Sequence, residues 1–276
     1  MASPLLLLPI LMAPVVFAAV LAFLVRPRPV RIPIKGRHVF ITGGSSGIGL
    51  ALARLAAAEG AHVSILARRA AHLQEARDAI RLATGVDVAI FSADVRDADA
   101  VAKAVEAAGP VDVLVCNHGV FTPQELEKQD LEEVRFMVEV NLMGTFNLIK
   151  AALPTMKQRT KVTGLPASIA IMSSQAGQHR RRPDLTNIIA GSSGGMKADD
   201  VAKKALDGIK SSRFIVPCNF EGTMLSIATA GLSPQSSFLT ALAEVLGAGF
   251  MRFMGLCFQW NWFSSIENWH SKKKGL

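Results

Sequence analysis

The sequence predicts an α/β fold in which helices cover both faces of a parallel sheet, preceded by a membrane anchor. Two observations predict the sheet: short β-rich runs alternate with helical stretches, and the first run ends in a glycine-rich turn. A third predicts the anchor, because residues 1–25 contain no charged side chain. With 276 residues, half of them hydrophobic, the chain can fill the core of one main domain.

The anchor is the first element. As a helix, the segment from Leu5 to Val25 is long enough to cross about 30 Å of hydrocarbon. Basic residues then crowd the linker 26–36, whereas a cleaved signal peptide carries its positive charge before the apolar core. We therefore expect a retained signal anchor at 1–25, with the amino terminus across the membrane and the remaining chain in the cytosol.

The main domain is expected at 37–220. It begins with a strand in "RHVFIT", a glycine turn, a helix in "GIGLALARLAAAEG" and a second strand in "AHVSILAR". Further along, "DVAIFSADV", "VDVLVCNHGV" and "ASIAIMSSQAG" are typical of buried strands, with a helix in "DADAVAKAVEAAG". Strands that alternate with helices form a parallel, doubly wound sheet, which binds ligands at the carboxyl ends of its strands.

The glycine turn excludes one class of nucleotide chemistry. Gly44 to Gly49 has the G-x-x-x-x-G spacing of a P-loop, but Leu50 and Ala51 stand where lysine and serine or threonine would hold phosphate and magnesium, which excludes phosphoryl transfer. Glycines and a helix amino terminus can instead bind a dinucleotide pyrophosphate, although a tight turn can also need glycine for steric reasons alone. The candidate cofactor-binding residues here are Gly43, Ser45, Ser46, Gly47, Ile48 and Gly49.

The end of the second strand indicates which dinucleotide binds. About twenty residues after the glycine turn, a cofactor with a free ribose 2'-hydroxyl usually meets an acidic side chain. This chain has Arg68 and Arg69 there, and a guanidinium suits a 2'-phosphate. We therefore expect NADP(H) rather than NAD(H); the alternative is that both arginines are solvated loop charges.

Net charge and cysteine content limit which partners and which cellular compartment are expected. The net charge is +8, but the basic runs at 26–37, 180–182 and 272–274 do not interleave with aromatic residues as a base-stacking surface would. We expect no nucleic-acid partner. The three cysteines are odd in number and far apart, which fits a reduced compartment better than a disulfide framework.

The chain from Gly36 to Gln178 resembles the short-chain dehydrogenase/reductase family, whose fold is Rossmann-like. "TGGSSGIG" matches the T-G-x-x-x-G-x-G of the family, and Asp94 in "ADV" matches its acidic adenine contact. The N-N-A-G of the family appears as "CNHG", which keeps Asn117 and Gly119 as cofactor contacts but places His118 where a small residue is usual. We interpret His118 as a packing substitution rather than a ligand or base.

The resemblance also supplies catalytic residues. Asn141 matches the helix asparagine that helps to maintain a water-linked proton path, and Ser174 in "SSQAG" matches the serine that binds the substrate carbonyl. The alternatives are a satisfied helix amide for Asn141 and a turn-capping hydroxyl for Ser174.

The segment that should follow Gln178 is missing. In the family a Tyr-x-x-x-Lys motif supplies the proton donor, but here the tyrosine position falls on Asn187 and the lysine position on Gly191, and the chain contains no tyrosine. We interpret this as an internal deletion near 178–183 that leaves the sheet incomplete after its fifth strand and impairs activity. Since the family dimerises through the missing helix and the one before it, the resemblance implies a weakened homo-oligomer with an exposed apolar face from Leu131 to Met156.

The carboxyl-terminal region 221–276 is apolar as far as Trp262, and we expect it to associate with the membrane. Glu244 and Arg252 argue against a simple span, so we favour a re-entrant or interfacial helix pair, with a soluble helix that covers the sheet as the alternative. An interfacial belt would use three tryptophans: Trp260, Trp262 and Trp269.

With this region included, the chain is similar to one branch of the family, the 3-ketosphinganine reductases of the endoplasmic reticulum, and to its plant members most. That branch implies NADPH, a sphingoid-base ketone substrate and an endoplasmic-reticulum membrane with the catalytic domain in the cytosol. Lys273 and Lys274 resemble a dilysine retrieval signal. Two alternatives stay open: a non-catalytic NADP(H)-binding or regulatory isoform, and a reductase of another lipid or steroid ketone.

Overall fold

The computed structural model describes residues 12–20, 23, 30–122, 126–174, 196–235 and 237–274. Two compact units divide the chain, one at Arg31–Lys210 and the other comprising Met1–Val30 and Ser211–Leu276. Residues 12–20 of the predicted anchor are helical, while the rest of the anchor except residue 23, part of the linker and the proposed deletion at 178–183 lie outside the described residues.

The first unit contains a parallel sheet of five strands in the order β3-β2-β1-β4-β5, which confirms the doubly wound, Rossmann-like prediction. All five residues of the central strand are buried, because it pairs on both sides: Ile41 lies opposite both Ile65 and Val115. The strands are β1 His38–Thr42, β2 His62–Ala67, β3 Ala89–Ser92, β4 Val113–Cys116 and β5 Ser168–Ile171.

Helices cover both faces of this sheet. Because side chains alternate along a strand, Ile41 packs into one core with Leu52 of the first helix, while Phe40 packs into a second core with Leu148 on the other face. The helices are α1 Gly47–Ala58, α2 Ala70–Thr84, α3 Ala98–Ala108, α4 Leu131–Val138, α5 Gly144–Thr163 and α6 Ala198–Lys210, with a π-helical turn at Glu139–Met143 between α4 and α5.

The start and end of this unit differ from the expected 37–220. Ile32 and Ile34, assigned to the linker from their sequence position, are buried in the core beneath α1 and α6. The Ile32 amide also donates a hydrogen bond to the Lys210 carbonyl at 2.9 Å. Burial of these two apolar side chains places residues 32 and 34 in the compact unit, which begins at Arg31 and ends at Lys210.

One long apolar helical stretch, Leu131–Thr163, belongs to the domain core although it is long enough to cross a membrane. Leu148, Ala152 and Met156 are buried against the sheet, as in the core helix of a globular domain. The other side of the stretch exposes apolar side chains in the single chain, among them Leu131, Leu142 and Phe146.

The second unit contains two helices, α7 at Phe220–Ala228 and α8 at Phe238–Lys274, which pack against each other. The expected interfacial location of these helices at a membrane stays a prediction. Helix α8 is continuous, so the chain does not turn back within the apolar stretch as a re-entrant segment would. Its part at Phe238–Asn261 has the length and hydropathy of a membrane span, and none of that window is buried.

Candidate cofactor and substrate site

The glycine turn lies at the carboxyl end of the central strand, where β1 passes into α1. Gly43 has φ +63, a left-handed conformation that favours glycine, and its amide donates to the Leu66 carbonyl at 2.8 Å. The turn is therefore fixed to the end of β2 as well as to β1.

Two further glycines are required by close approach rather than by φ. A Cβ on Gly44 would lie 2.6 Å from the Ile65 Cβ, and a Cβ on Gly49 would lie 2.3 Å from the Gly43 carbonyl oxygen. The same Cβ on Gly49 would be 2.5 Å from Asn117 Nδ2. The absence of side chains here lets α1 start directly against the ends of β1 and β4.

The start of α1 has the properties of an anion site for a dinucleotide. Within this described turn, Ser46 precedes the helix with an extended backbone and does not cap it through its side chain. The first turn of α1 carries no acidic residue. Its amide groups and the positive end of the helix dipole can therefore bind a pyrophosphate, and the glycine turn leaves room for close approach.

Thr42, at the end of β1, ties the glycine turn to the end of β4. Its Oγ1 accepts hydrogen bonds from the amides of Asn117 at 3.0 Å and His118 at 3.2 Å. The Asn117 side chain reaches back to the Gly43 carbonyl at 3.4 Å. Our sequence reasoning did not single out Thr42 as a functional residue, although the threonine is the first letter of the T-G-x-x-x-G-x-G pattern.

His118 bridges this turn and the start of α5. Its Nδ1 lies 2.8 Å from Thr42 Oγ1, and its Nε2 lies 3.4 Å from Thr145 Oγ1 at the start of α5. Burial lowers the pKa of the His118 imidazole from its ordinary value, which favours the neutral ring. These partners are consistent with the packing role inferred for His118 from the sequence.

Asn141 lies in the π-helical turn at Glu139–Met143 and holds the segment that follows β4. Its Oδ1 accepts from the Val120 amide and its Nδ2 donates to the Val120 carbonyl, both at 2.8 Å. Gly119 adjoins it, since an added Cβ there would lie 3.5 Å from Asn141 Oδ1. The structure thus brings Asn117, Gly119 and Asn141 to one place; π turns of this kind are frequent at functional sites.

Ser174 lies three residues after β5, at the end of the described range 126–174, and is exposed. The chain reaches it beside β4, because the Met172 amide donates to the Cys116 carbonyl at 2.9 Å. Ser174 and Asn117 therefore both lie just beyond the carboxyl ends of neighbouring strands, β5 and β4. Gln178, Asn187 and Gly191 lie outside the described residues.

Further along the carboxyl edge of the sheet, Arg68 follows β2 and is exposed. Ser92 Oγ donates a hydrogen bond to the Arg68 carbonyl at 3.1 Å. Asp94, the expected adenine contact, is engaged by Arg96, whose NH2 lies 2.8 Å from Asp94 Oδ2. The hydrogen bonds from Arg96 hold the pKa of Asp94 below its ordinary value. Our sequence reasoning missed Arg96, which no motif marks.

A second polar cluster lies at the opposite, amino-terminal edge of the sheet. Asp112 is buried and bonds to Arg37 at 3.0 Å and to Arg159 at 2.6 Å. A cavity of about 380 Å³ at this edge is lined in part by His38 and Ser64, whose side chains bond to each other at 2.8 Å. Because ligands of such sheets bind at the carboxyl ends of the strands, we assign this edge a structural role.

Comparison with known proteins gives a family match and close relatives. Residues 37–184 match the family model of the short chain dehydrogenases. Two 3-dehydrosphinganine reductases of Arabidopsis thaliana are 50% identical to this chain, one over 91% of both chains and the other over 92% of both. A 3-ketodihydrosphingosine reductase of Bos taurus is 25% identical over 92% of both chains.

Solved structures agree on the fold. A short chain dehydrogenase/reductase family protein gives a TM-score of 0.54 at 26% identity, covering 66% of this chain and 92% of that one. A 3-ketoacyl-(acyl-carrier-protein) reductase from Brucella melitensis, complexed with NADH, gives 0.55 at 25% identity, covering 64% and 92%.

The alignments with the Arabidopsis relatives also contain a length difference. The first spans 300 positions but uses only 91% of the 276 residues here, or about 251. About 49 of its positions therefore have no residue from this chain. The second alignment spans 305 positions with 92% of this chain and leaves about 51.

Proposed function

This chain belongs to the short-chain dehydrogenase family, and from that premise we propose that it is an NADPH-dependent reductase of 3-ketosphinganine (3-dehydrosphinganine), which would yield sphinganine for sphingolipid biosynthesis. The observation that carries the proposal is the 50% identity to two 3-dehydrosphinganine reductases over about nine-tenths of each chain. The cofactor, the substrate and the state of this chain's catalytic residues are parts of the proposal.

The cofactor would bind along the carboxyl edge of the sheet. The amides at the start of α1 and the turn at Gly43 would hold the pyrophosphate, and Arg68 would pair with the 2'-phosphate of NADPH. Asn117 and Gly119 line the next part of the edge. When bound, the reduced nicotinamide supplies the hydride.

The substrate carbonyl would be oriented by Ser174. Asn141 fixes the Val120 segment that follows β4. The chain has no residue matched to the family's proton donor, because it contains no tyrosine. General acid catalysis is worth about 10²- to 10⁴-fold in rate. We therefore propose that the chain binds its cofactor but reduces the ketone slowly.

Support for an internal deletion comes from the length difference with the relatives. About 49 to 51 positions of these alignments have no residue from this chain. A segment of that length is long enough for a strand and for the helix that carries the missing motif. In the sheet, β5 is the last described strand after β4, with Ile171 exposed. A segment inserted after Gln178 would continue from this edge.

The lack of tyrosine favours a second candidate function, a non-catalytic protein that binds NADP(H) and regulates a full-length reductase. The site geometry supports cofactor binding in either case. Turnover separates the two candidates.

The proposed location is the endoplasmic-reticulum membrane, with the reductase domain on the cytosolic side. Support comes from the uncharged residues 1–25, from the basic linker after them and from the unburied apolar stretch Phe238–Asn261 of α8. The helix pair α7 and α8 would provide a second attachment to the membrane.

The test is to titrate NADPH into the detergent-solubilised 276-residue chain by fluorescence and then to incubate it with 3-ketosphinganine, detecting sphinganine by mass spectrometry. We expect saturable binding with slow, ketone-dependent sphinganine formation. Binding without any sphinganine would support the regulatory candidate, and faster reduction of a steroid ketone would redirect the substrate assignment.

A matched pair of variants checks that binding occurs at the glycine turn. Gly47 and Gly85 have similar left-handed conformations, with φ +55 and +73, and a Cβ on either would meet nothing within 4 Å. Gly47→Asp places a carboxylate at the start of α1 and should abolish binding, whereas Gly85→Asp should not. Equal binding by both variants would contradict the assigned site.

A further inference from the structure

The turn after β3 contains an arginine that is fixed on several sides. The Arg96 amide donates to Asp94 Oδ1 at 3.0 Å, and its guanidinium donates to both carboxylate oxygens, through Nε at 3.2 and 3.1 Å and through NH2 at 2.8 Å. Charge-assisted, two-point contacts of this kind are among the stronger hydrogen bonds in proteins. The carboxylate of Asp94 is thus largely occupied by a neighbour in its own turn.

Residues on α4 and the π-helical turn hold the other side of Arg96. Its guanidinium carbon lies 4.9 Å from the centroid of the Phe136 ring, and its NH1 lies 3.8 Å from Glu139 Oε2. The backbone of the turn is held too, because Asn147 Nδ2 donates to the Val95 carbonyl at 2.9 Å. Arg96 is therefore held in place although its side chain is 40% exposed.

This turn adjoins the residue expected to bind the 2'-phosphate. Strands β2 and β3 pair with Ala67 opposite Ser92, so Arg68 and Asp94 follow neighbouring strand ends. Ser92 Oγ donates to the Arg68 carbonyl at 3.1 Å, which ties the two strand ends together, and the positive charge of Arg68 contributes to the lowered pKa of Asp94. An unpaired Asp94 would repel a phosphate bound at Arg68.

We propose that Arg96 is a specificity-determining residue for the 2'-phosphate, because it neutralises and occupies the Asp94 carboxylate beside the Arg68 subsite. This inference rests on the proposed NADP(H) function. Without Arg96, the unneutralised Asp94 carboxylate would repel the 2'-phosphate of NADPH, which NADH does not carry. Preference for NADPH would then depend on Arg96 as well as on Arg68.

The test compares dissociation constants for NADPH and NADH in the full-length chain, by fluorescence titration at one fixed ionic strength. The two cofactors differ only in the 2'-phosphate, so a general structural defect weakens both and leaves their ratio unchanged. We expect Arg96→Gln to reduce the NADPH preference by about three- to tenfold, as expected for an unscreened carboxylate near a phosphate at the protein surface.

Three further variants sharpen the result. Arg96→Lys, which keeps the charge, should recover part of the ratio. In an Asp94→Asn background, Arg96→Gln should change the ratio less than about twofold, because the carboxylate that it neutralises is gone. The matched control is Arg77→Gln, which breaks a similar two-point pair with Asp87 at 2.7 and 2.6 Å and should leave the ratio unchanged.

The outcomes separate this inference from the function on which it rests. An unmutated chain without NADPH preference would overturn the cofactor assignment itself, and this inference with it. An unmutated chain that prefers NADPH, with the same ratio in Arg96→Gln, would overturn only the role of Arg96. Equal weakening of both cofactors, or a shift of the ratio in Arg77→Gln, would also overturn it.

Discussion

Replacement of Gly49 by alanine tests the geometry of the glycine turn. The new Cβ would lie 2.3 Å from the Gly43 carbonyl oxygen and 2.5 Å from Asn117 Nδ2, whereas ordinary contact begins near 3.4 Å. The Gly43 backbone would have to move by about 1 Å. Overpacking costs about 1–3 kcal/mol, and we expect the upper half of that range because the obstacle is backbone rather than a flexible side chain.

The assay is thermal unfolding by circular dichroism, followed by NADPH titration. A loss of about 2–3 kcal/mol in a unit of this size should lower the apparent Tm by about 4–12 °C. The matched control is Gly119→Ala, whose Cβ would make an ordinary contact at 3.5 Å with Asn141 Oδ1 and should leave the Tm nearly unchanged. If both variants unfold at the same temperature, the steric argument for Gly49 is wrong.

Three other predictions concern cofactor choice, pH and membrane attachment. Arg68→Asp should weaken NADPH by about ten- to a hundredfold relative to NADH, with the exposed Arg81→Asp as control; an unchanged ratio of dissociation constants would exclude the phosphate contact. Burial lowers the pKa of both His38 and His118, so unfolding takes up protons as pH falls through about 6.5. The contribution of these two neutral imidazoles to the free energy of unfolding is therefore full above that pH and decreases below it. An apparent Tm that stays constant from pH 7.5 to 5.5 would contradict this. Alkaline carbonate should leave the full chain on microsomal membranes, whereas release of the intact protein would argue against both the anchor and α8 as membrane segments.

Local patterns predicted the sheet and the first turn of the site. Each strand is a short β-rich run, and the alternation of strands with helices predicts that they pair in parallel. The order β3-β2-β1-β4-β5 comes from the structure. The sequence also marked Gly44 and Gly49, but it could not show that Ile65 and Asn117 are the neighbours that exclude a side chain there. Those contacts depend on how the strands pair.

Features made by packing between distant segments could not be predicted. Asn141 was expected in an ordinary helix, but its side chain bonds Val120, 21 residues earlier, within a π-helical turn. The contacts of Arg96 with Phe136 and Glu139 similarly require α4 to lie against the turn after β3. No residue spacing in the sequence specifies either arrangement.

The measurement that most directly tests the central claim is the rate of ketone-dependent NADPH oxidation by two purified proteins. One is the 276-residue chain, and the other is the same chain with the unmatched segment of an Arabidopsis relative inserted after Gln178. We predict that the repaired protein reduces 3-ketosphinganine about a hundredfold faster or more, because it regains a general acid. Comparable rates in the two proteins would contradict the claim that this chain lacks its proton donor.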